Sequence, residues 1–171
     1  MSLIDTLISE FEHEAQTTRK HLERLPDDKL GWRPHEKSFT AGGLASHITE
    51  CVGWTDAIFN GDEFNFDPAT FKRYQATSAA DLLKTFDENV ATAKQALKDA
   101  GEASLSEPWS LKIRGRVLFE KPKAAVFRDF ALSHVIHHRG QLSVYLRLLN
   151  IPVPGSYGPS ADEQPPDQGK G

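Results

Sequence analysis

Apolar or small residues recur at steps of three and four through the first 25 positions, at Ile4, Ile8, Phe11, Ala15, Thr18, Leu22 and Leu25, with Asp, Glu and Lys between them. This is the period of an amphipathic helix and predicts one over residues 2 to about 25. Pro26-Asp27-Asp28 opens a break that runs through Gly31-Trp32-Arg33-Pro34. Thr40 or Ser38 then stands where a side-chain oxygen caps a second helix reaching to about Phe59. From Asn60 to Thr77 the period is lost among Asn-Gly, Asp-Pro and scattered aromatics, which reads as a long crossover loop with no regular element. Its Phe64, Phe66, Phe71 and Tyr74 suit either a cover over a pocket mouth or a pin holding the loop to the helices.

Ser78, with Asp81 three residues on, starts a third helix whose buried stripe is Leu82, Leu83, Phe86, Val90, Ala93 and Leu97, closing at Gly101. Trp109 to Phe119 alternates around Gly115 as a small hairpin or an extended segment would. A last helix begins near Pro122 and runs to about Leu149, where Asn150-Ile151-Pro152-Val153-Pro154 stops it. Four long amphipathic helices predict an all-α, antiparallel four-helix bundle with long connections and at most one small β-hairpin before the last helix. The length of 171 residues fits one domain, read as 1–163, followed by a flexible Pro-, Gln- and Gly-rich tail over 164–171.

The net charge of −4, with Lys and Arg scattered through the chain, gives no basic stripe for a phosphate backbone, so nucleic acid is not an expected partner. No window approaches the ~18 consecutive apolar residues of a membrane span, and the N-terminus lacks a secretory signal pattern. The lone cysteine, Cys51, has no internal disulfide partner, which fits a reducing compartment; the cytoplasm is the expected location.

The last predicted helix carries the chemistry. Its stripe reads Phe127, Ala131, His134, His138, Gln141, Tyr145 and Leu148, and positions four apart on a helix share a face with Cβ atoms ~5–6 Å apart. Two imidazoles so placed suit one metal ion, and His47, flanked by Leu44, Ile48 and Cys51 on the second helix, is the evident third ligand. Three neutral imidazoles leave a divalent ion its full charge and an open position, the pattern of catalytic sites. Core histidines tied to carbonyl oxygens are the plain alternative. No glutamate lies between His134 and His138, unlike the H-E-x-x-H metalloproteases.

Several neighbours carry two readings each. Gln141, about one turn past His138, either steers a ligand imidazole or satisfies a core carbonyl, and Tyr145 either donates to a substrate or fills core. Cys51 is a fourth ligand, a redox-sensitive group or, more plainly, a small buried hydrophobe. Glu50 is a base near the site or a solvated helix residue; His137, rotated ~100° from His138, is not expected to ligate. Gly140 costs the helix about 1 kcal/mol against alanine, which close approach of another helix would offset. Arg139 is expected to face outward, and His13, His21 and His35 to lie on the surface.

His134-Val135-Ile136-His137-His138-Arg139-Gly140-Gln141-Leu142, the upstream Leu44-Ala45-Ser46-His47-Ile48, the Trp32-Arg33-Pro34 turn and Gly155-Ser156-Tyr157-Gly158-Pro159-Ser160 together resemble the DinB/YfiT-like metalloenzyme family, over nearly the whole chain to about Glu163. The resemblance implies a four-helix bundle, often homodimeric, holding a divalent ion such as zinc or nickel through His47, His134 and His138. It further implies a reaction on a small molecule, such as S-transfer from a low-molecular-weight thiol cosubstrate. A metal-dependent hydrolase and a noncatalytic, metal-stabilised stress-response or binding bundle remain the alternatives, since fold does not carry substrate.

Overall fold

The computed structural model describes residues 2–163; the tail assigned to 164–171 lies outside the described residues. The first helix, α1 (Leu3–Leu22), starts at a capping box in which Ser2 Oγ accepts from Asp5 N and Asp5 Oδ2 accepts from Ser2 N. The Glu102 carboxylate accepts from the free N–H groups of Leu3 and Ile4, tying that end to the far end of the third helix. The second helix, α2 (Ala41–Phe59), is capped by Thr40, whose Oγ1 accepts from Gly43 N at 3.0 Å. Gly42 lets its first turn press onto the preceding loop: a Cβ there would sit 3.0 Å from the Leu30 carbonyl oxygen, which accepts from Gly42 N.

The third helix, α3 (Ala79–Ser104), is capped by Ser78 and buries Leu82, Phe86, Ala93 and Leu97. Gly101 at φ 70° breaks its regular winding at the expected residue, and the helix adds one further turn beyond it. α2 packs on α3 and on the C-terminal helix, and α1 packs on the same two. Among the described residues no helix is long and apolar enough to cross a membrane.

The molecule is mostly helical, but it is not purely so. A three-stranded sheet, β1 (Glu63–Phe66), β2 (Pro108–Ile113) and β3 (Arg116–Pro122), runs in the order β1-β2-β3. The expected hairpin is present: β2 and β3 are antiparallel around Arg114 and Gly115, both at positive φ, as a tight two-residue turn requires. The 60–77 segment is not irregular throughout, because β1 pairs in parallel with β2, Phe64 opposite Leu111 and Phe66 opposite Ile113. Its four residues alternate exposed and half-buried, too short a period to stand out, and its partner lies more than forty positions on. Trp109, buried, donates from Nε1 to the Ala57 carbonyl and fastens the sheet to α2.

The C-terminal helix is also not uniform. It begins as α4 (Lys123–Val126), passes through a π-helical stretch, Phe127–Leu132, and continues as α5 (Ser133–Leu148). A π stretch rotates the helix beyond it about the common axis, and such stretches gather at functional sites. In α5 the buried residues are Val135, His138, Arg139, Leu142 and Leu146, whereas Leu148 of the expected stripe is 56% exposed. The helix ends where Asn150 turns to φ 57° and Ile151 N donates to the Leu146 carbonyl.

Two expectations fail here. Arg139 does not face outward: it is 2% exposed and its guanidinium donates to Glu14 Oε2 at 2.5 Å, Thr18 Oγ1 at 3.2 Å and Tyr157 Oη at 2.8 Å. His21 is not on the surface but fully buried, with Nδ1 2.9 Å from the Thr17 carbonyl and Nε2 3.5 Å from Ser156 Oγ. Both are covered by the segment after α5, which folds back over α1, a contact that no local pattern announces. His13 and His35 are exposed as expected.

Candidate metal centre

α2 and α5 bring three imidazoles together. The ring centroids lie 5.2 Å apart for His47 and His134, 4.8 Å for His47 and His138, and 4.7 Å for His134 and His138. Each ring has its Nδ1 against an acceptor: His47 against Glu50 Oε2 at 3.3 Å, His134 against the Phe130 carbonyl at 3.3 Å, and His138 against Gln141 Oε1 at 2.8 Å. An acceptor at Nδ1 places the proton there and leaves Nε2 with a lone pair, the form in which imidazole binds a cation. The donor chemistry therefore fits a divalent ion.

Cys51 shares this site. Its Sγ lies 3.8 Å from His47 Nε2, and the donor atoms of His47, Cys51 and His134 are all within 4.8 Å of one another. A tetrahedral ion with bonds of about 2.0–2.3 Å would draw its donors to roughly 3.3–3.8 Å, a matter of side-chain adjustment. The thiol is fully buried, and burial pushes its pKa well up, as does the neighbouring Glu50 carboxylate. The donor atoms that already stand within reach of one another are thus those of two imidazoles and a thiol, with the His138 ring beside them, its centroid 4.8 Å from that of His47 and 4.7 Å from that of His134.

Burial also acts on the histidines. His138 is pushed down to about 4, chiefly by desolvation and against the bond from Gln141, with the adjacent imidazoles adding to the effect. His134 is lowered too, first by desolvation and then by His47. Both are neutral at pH 7. Their folded pKa values lie below the unfolded value near 6.5, so the stability they contribute is complete above that pH and is lost as pH falls below it, in the case of His138 toward about 4. Chemical denaturation of metal-free protein is expected to show stability falling between pH 7 and 4.5. His138→Asn is expected to flatten that fall, and an equally steep fall in this variant would refute the assignment.

The surroundings order these imidazoles. Glu50 is not solvated: its side chain is 10% exposed, and Oε1 accepts from Tyr74 N while Oε2 faces His47, so it joins the 67–77 segment to the His47 ring. Gln141 accepts from His138 and approaches His137 Nε2 with its own Nε2 at 3.1 Å. His137 itself is exposed, off the cluster. Gln141→Ala is expected to weaken zinc retention by about 10–100-fold in a chelator competition, the usual effect of removing a partner that orients a ligand. Unchanged retention would leave Gln141 as a surface amide. Tyr145 donates to the Phe39 carbonyl at 3.3 Å and sits edge-on to Trp32.

Two cavities reach the cluster. One, of about 330 Å³, meets His47 and His134 and has largely aromatic walls. The other, of about 360 Å³, meets His138 between Lys37, Gln141 and Tyr145. Sequence reasoning missed Trp54 and Phe130 as walls. Trp54 stands seven residues after His47 and Phe130 four before His134, so helical spacing from these histidines was the available signal.

Known proteins share the fold of this chain. The chain is 27% identical to the uncharacterized protein YrdA of Bacillus subtilis over 94% of its own length and 91% of that protein. It is also 27% identical to the uncharacterized protein YjoA of the same organism, over 82% of this chain and 87% of that protein. Crystal structures of a DinB-like protein from Bacillus cereus and of YjoA each superpose with a TM-score of 0.67, at 22% and 21% identity. They cover 87% and 93% of this chain, and 94% and 98% of their own. The family model of the DinB family matches residues 1–168, and the chain belongs to the DinB family.

Proposed function

We propose that this protein is a metal-dependent enzyme that holds one divalent ion, zinc or nickel, through His47, His134 and His138, and transfers a low-molecular-weight thiol to a small electrophile. In this reading residues 1–163 form one domain, an antiparallel four-helix bundle, working in the cytoplasm. The observation that carries it is the set of three imidazoles whose Nδ1 atoms are all engaged, beside a cavity of small-molecule size. Bound there, a divalent ion would supply the Lewis acidity that favours thiolate at neutral pH.

The chain's own residues do the rest. Glu50, Gln141 and the Phe130 carbonyl hold the imidazoles in one tautomer, and Trp54, stacked on Phe130 at 4.6 Å, shields the cavity side from water. In the reaction the thiol loses its S–H proton to solvent, sulfur bonds to the electrophilic carbon, and the leaving group departs with the electrons of the broken bond. A metal-dependent hydrolase would use the same ligands with water as nucleophile, and a noncatalytic metal-stabilised bundle would have no use for the cavity. Metal-loaded protein incubated with thiols and an electrophile panel should give thiol-dependent product that His138→Ala does not. Ester cleavage without thiol would favour the hydrolase, and inactivity with every pair would overturn the enzymatic reading.

We also propose a homodimer formed through the outer face of α5. Val144 and Leu148 are each 56% exposed there, and the close approach of another helix expected at neighbouring Gly140 is not made within the chain: a Cβ there would meet nothing within 4 Å among the described residues. Sedimentation is expected to show a dimer that Val144→Glu dissociates; a monomer at every concentration would refute it.

A further inference from the structure

The aromatic cavity is built by elements far apart in the chain that converge on one face. Phe64 and Phe66 lie on the same side of β1 as Leu111 and Ile113 of the paired β2, and this side looks onto Trp54 of α2 and Phe130 of the π-helical stretch. Phe71 closes the ring, 4.9 Å from Phe66 and 6.0 Å from Phe64 with its plane steeply tilted to both. Flat aromatic molecules are held by stacked and edge-on contacts of this kind. At about 330 Å³ the space is at the lower end of small-molecule sites and too small for a lipid chain or a folded segment.

Two charged residues line it. Glu50 is already engaged by Tyr74 N and His47. Arg73 is exposed at the opening, and among the described residues its guanidinium forms no ion pair. A cation with no ion-pair partner among the described residues, at the mouth of an apolar cavity, selects for an anionic group at one end of an apolar ligand, and guanidinium matches carboxylate in a two-pronged fit.

We propose that this cavity is the acceptor site and takes a flat aromatic small molecule carrying one carboxylate, its rings among Trp54, Phe66 and Phe71 and its carboxylate on Arg73. That the ligand is the acceptor rests on the reading of the histidine cluster as the reaction centre; the binding preference does not. The polar cavity at Lys37 and Gln141 is left for the thiol.

Calorimetric titration of the full chain with 2-naphthoate and with the neutral 2-naphthalenemethanol tests this, in metal-free and in zinc-loaded protein. Saturable one-to-one binding of naphthoate is expected in both forms, with the neutral compound about two- to fivefold weaker, the size of a partly exposed ion pair. Arg73→Gln should remove that difference, and Leu111→Trp, which fills the cavity, should weaken both ligands at least tenfold. Ile113→Trp replaces it if the first variant does not fold. Lys37→Gln, in the cavity left for the thiol, should leave the affinities for both naphthalene compounds unchanged. Absence of saturable binding, indifference to both cavity-filling variants, or equal affinity for the two compounds would overturn the proposal. So would binding seen only with zinc and insensitive to Arg73→Gln, since the carboxylate would then sit on the ion. Failure to take up zinc would sink the metal reading while leaving the metal-free titration to decide this one.

Discussion

His134→Ala is expected to take the protein from about one tightly held divalent ion per chain to almost none while leaving it folded. Removing one of three ligands should exceed the ~10–100-fold loss caused by removing an orienting partner. His134 is only half-buried and touches mainly other aromatic rings, so truncation leaves no charge stranded. Plasma mass spectrometry of metal per chain, with circular dichroism for folding, reads the result. The comparison with Cys51→Ser and His138→Ala separates the two donor sets. With three imidazoles as ligands, His138→Ala strips the ion and Cys51→Ser retains it; the reverse would assign the ion to His47, Cys51 and His134. Full metal in folded His134→Ala would refute both sets.

Arg139→Ala is expected to cost about 3–5 kcal/mol and to lower the melting temperature by roughly 6–20 °C at 2–4 °C per kcal/mol for a chain of this size. The reason is what it leaves behind. Glu14, with its side chain 8% exposed, would be buried without its cation, and Tyr157 Oη, which bonds both Arg139 and Glu14, would lose one partner. Removing both charges strands neither, so Glu14→Leu with Arg139→Met should recover much of the loss. Thermal unfolding of the single and double variants measures this. A single variant melting within about 2 °C of the parent would show that water replaces the guanidinium freely.

The helices were legible because their causes are local. Ser2, Thr40 and Ser78 each cap a helix starting at the next residue, and of the expected stripe Leu82, Phe86, Ala93 and Leu97 are buried while Leu83 and Val90 are half-buried. The turn at Arg114 and Gly115 joins neighbouring strands, so the hairpin too could be read. β1 could not, because four residues with two phenylalanines acquire meaning only when β2 lies beside them.

The candidate site divides along the same line. His134 and His138 were readable as a pair from the helical period, and His47 from the apolar company it keeps on α2. What spacing could not supply was the approach of Glu50 to Tyr74, the sheet that walls the cavity, or the inward turn of Arg139 and His21. A charged residue is read as solvent-facing because burial without a partner is costly, and its partners here, Glu14 and Tyr157, stand 125 residues before it and 18 after. The order of residues was enough for the approximate span of the helices, the caps at Thr40 and Ser78 and the pairing of His134 with His138 on one face, all governed by interactions within a turn or two. Which charges are buried, and what encloses the imidazoles, emerged with the folded chain alone, because both depend on long-range contacts that local periodicity does not encode.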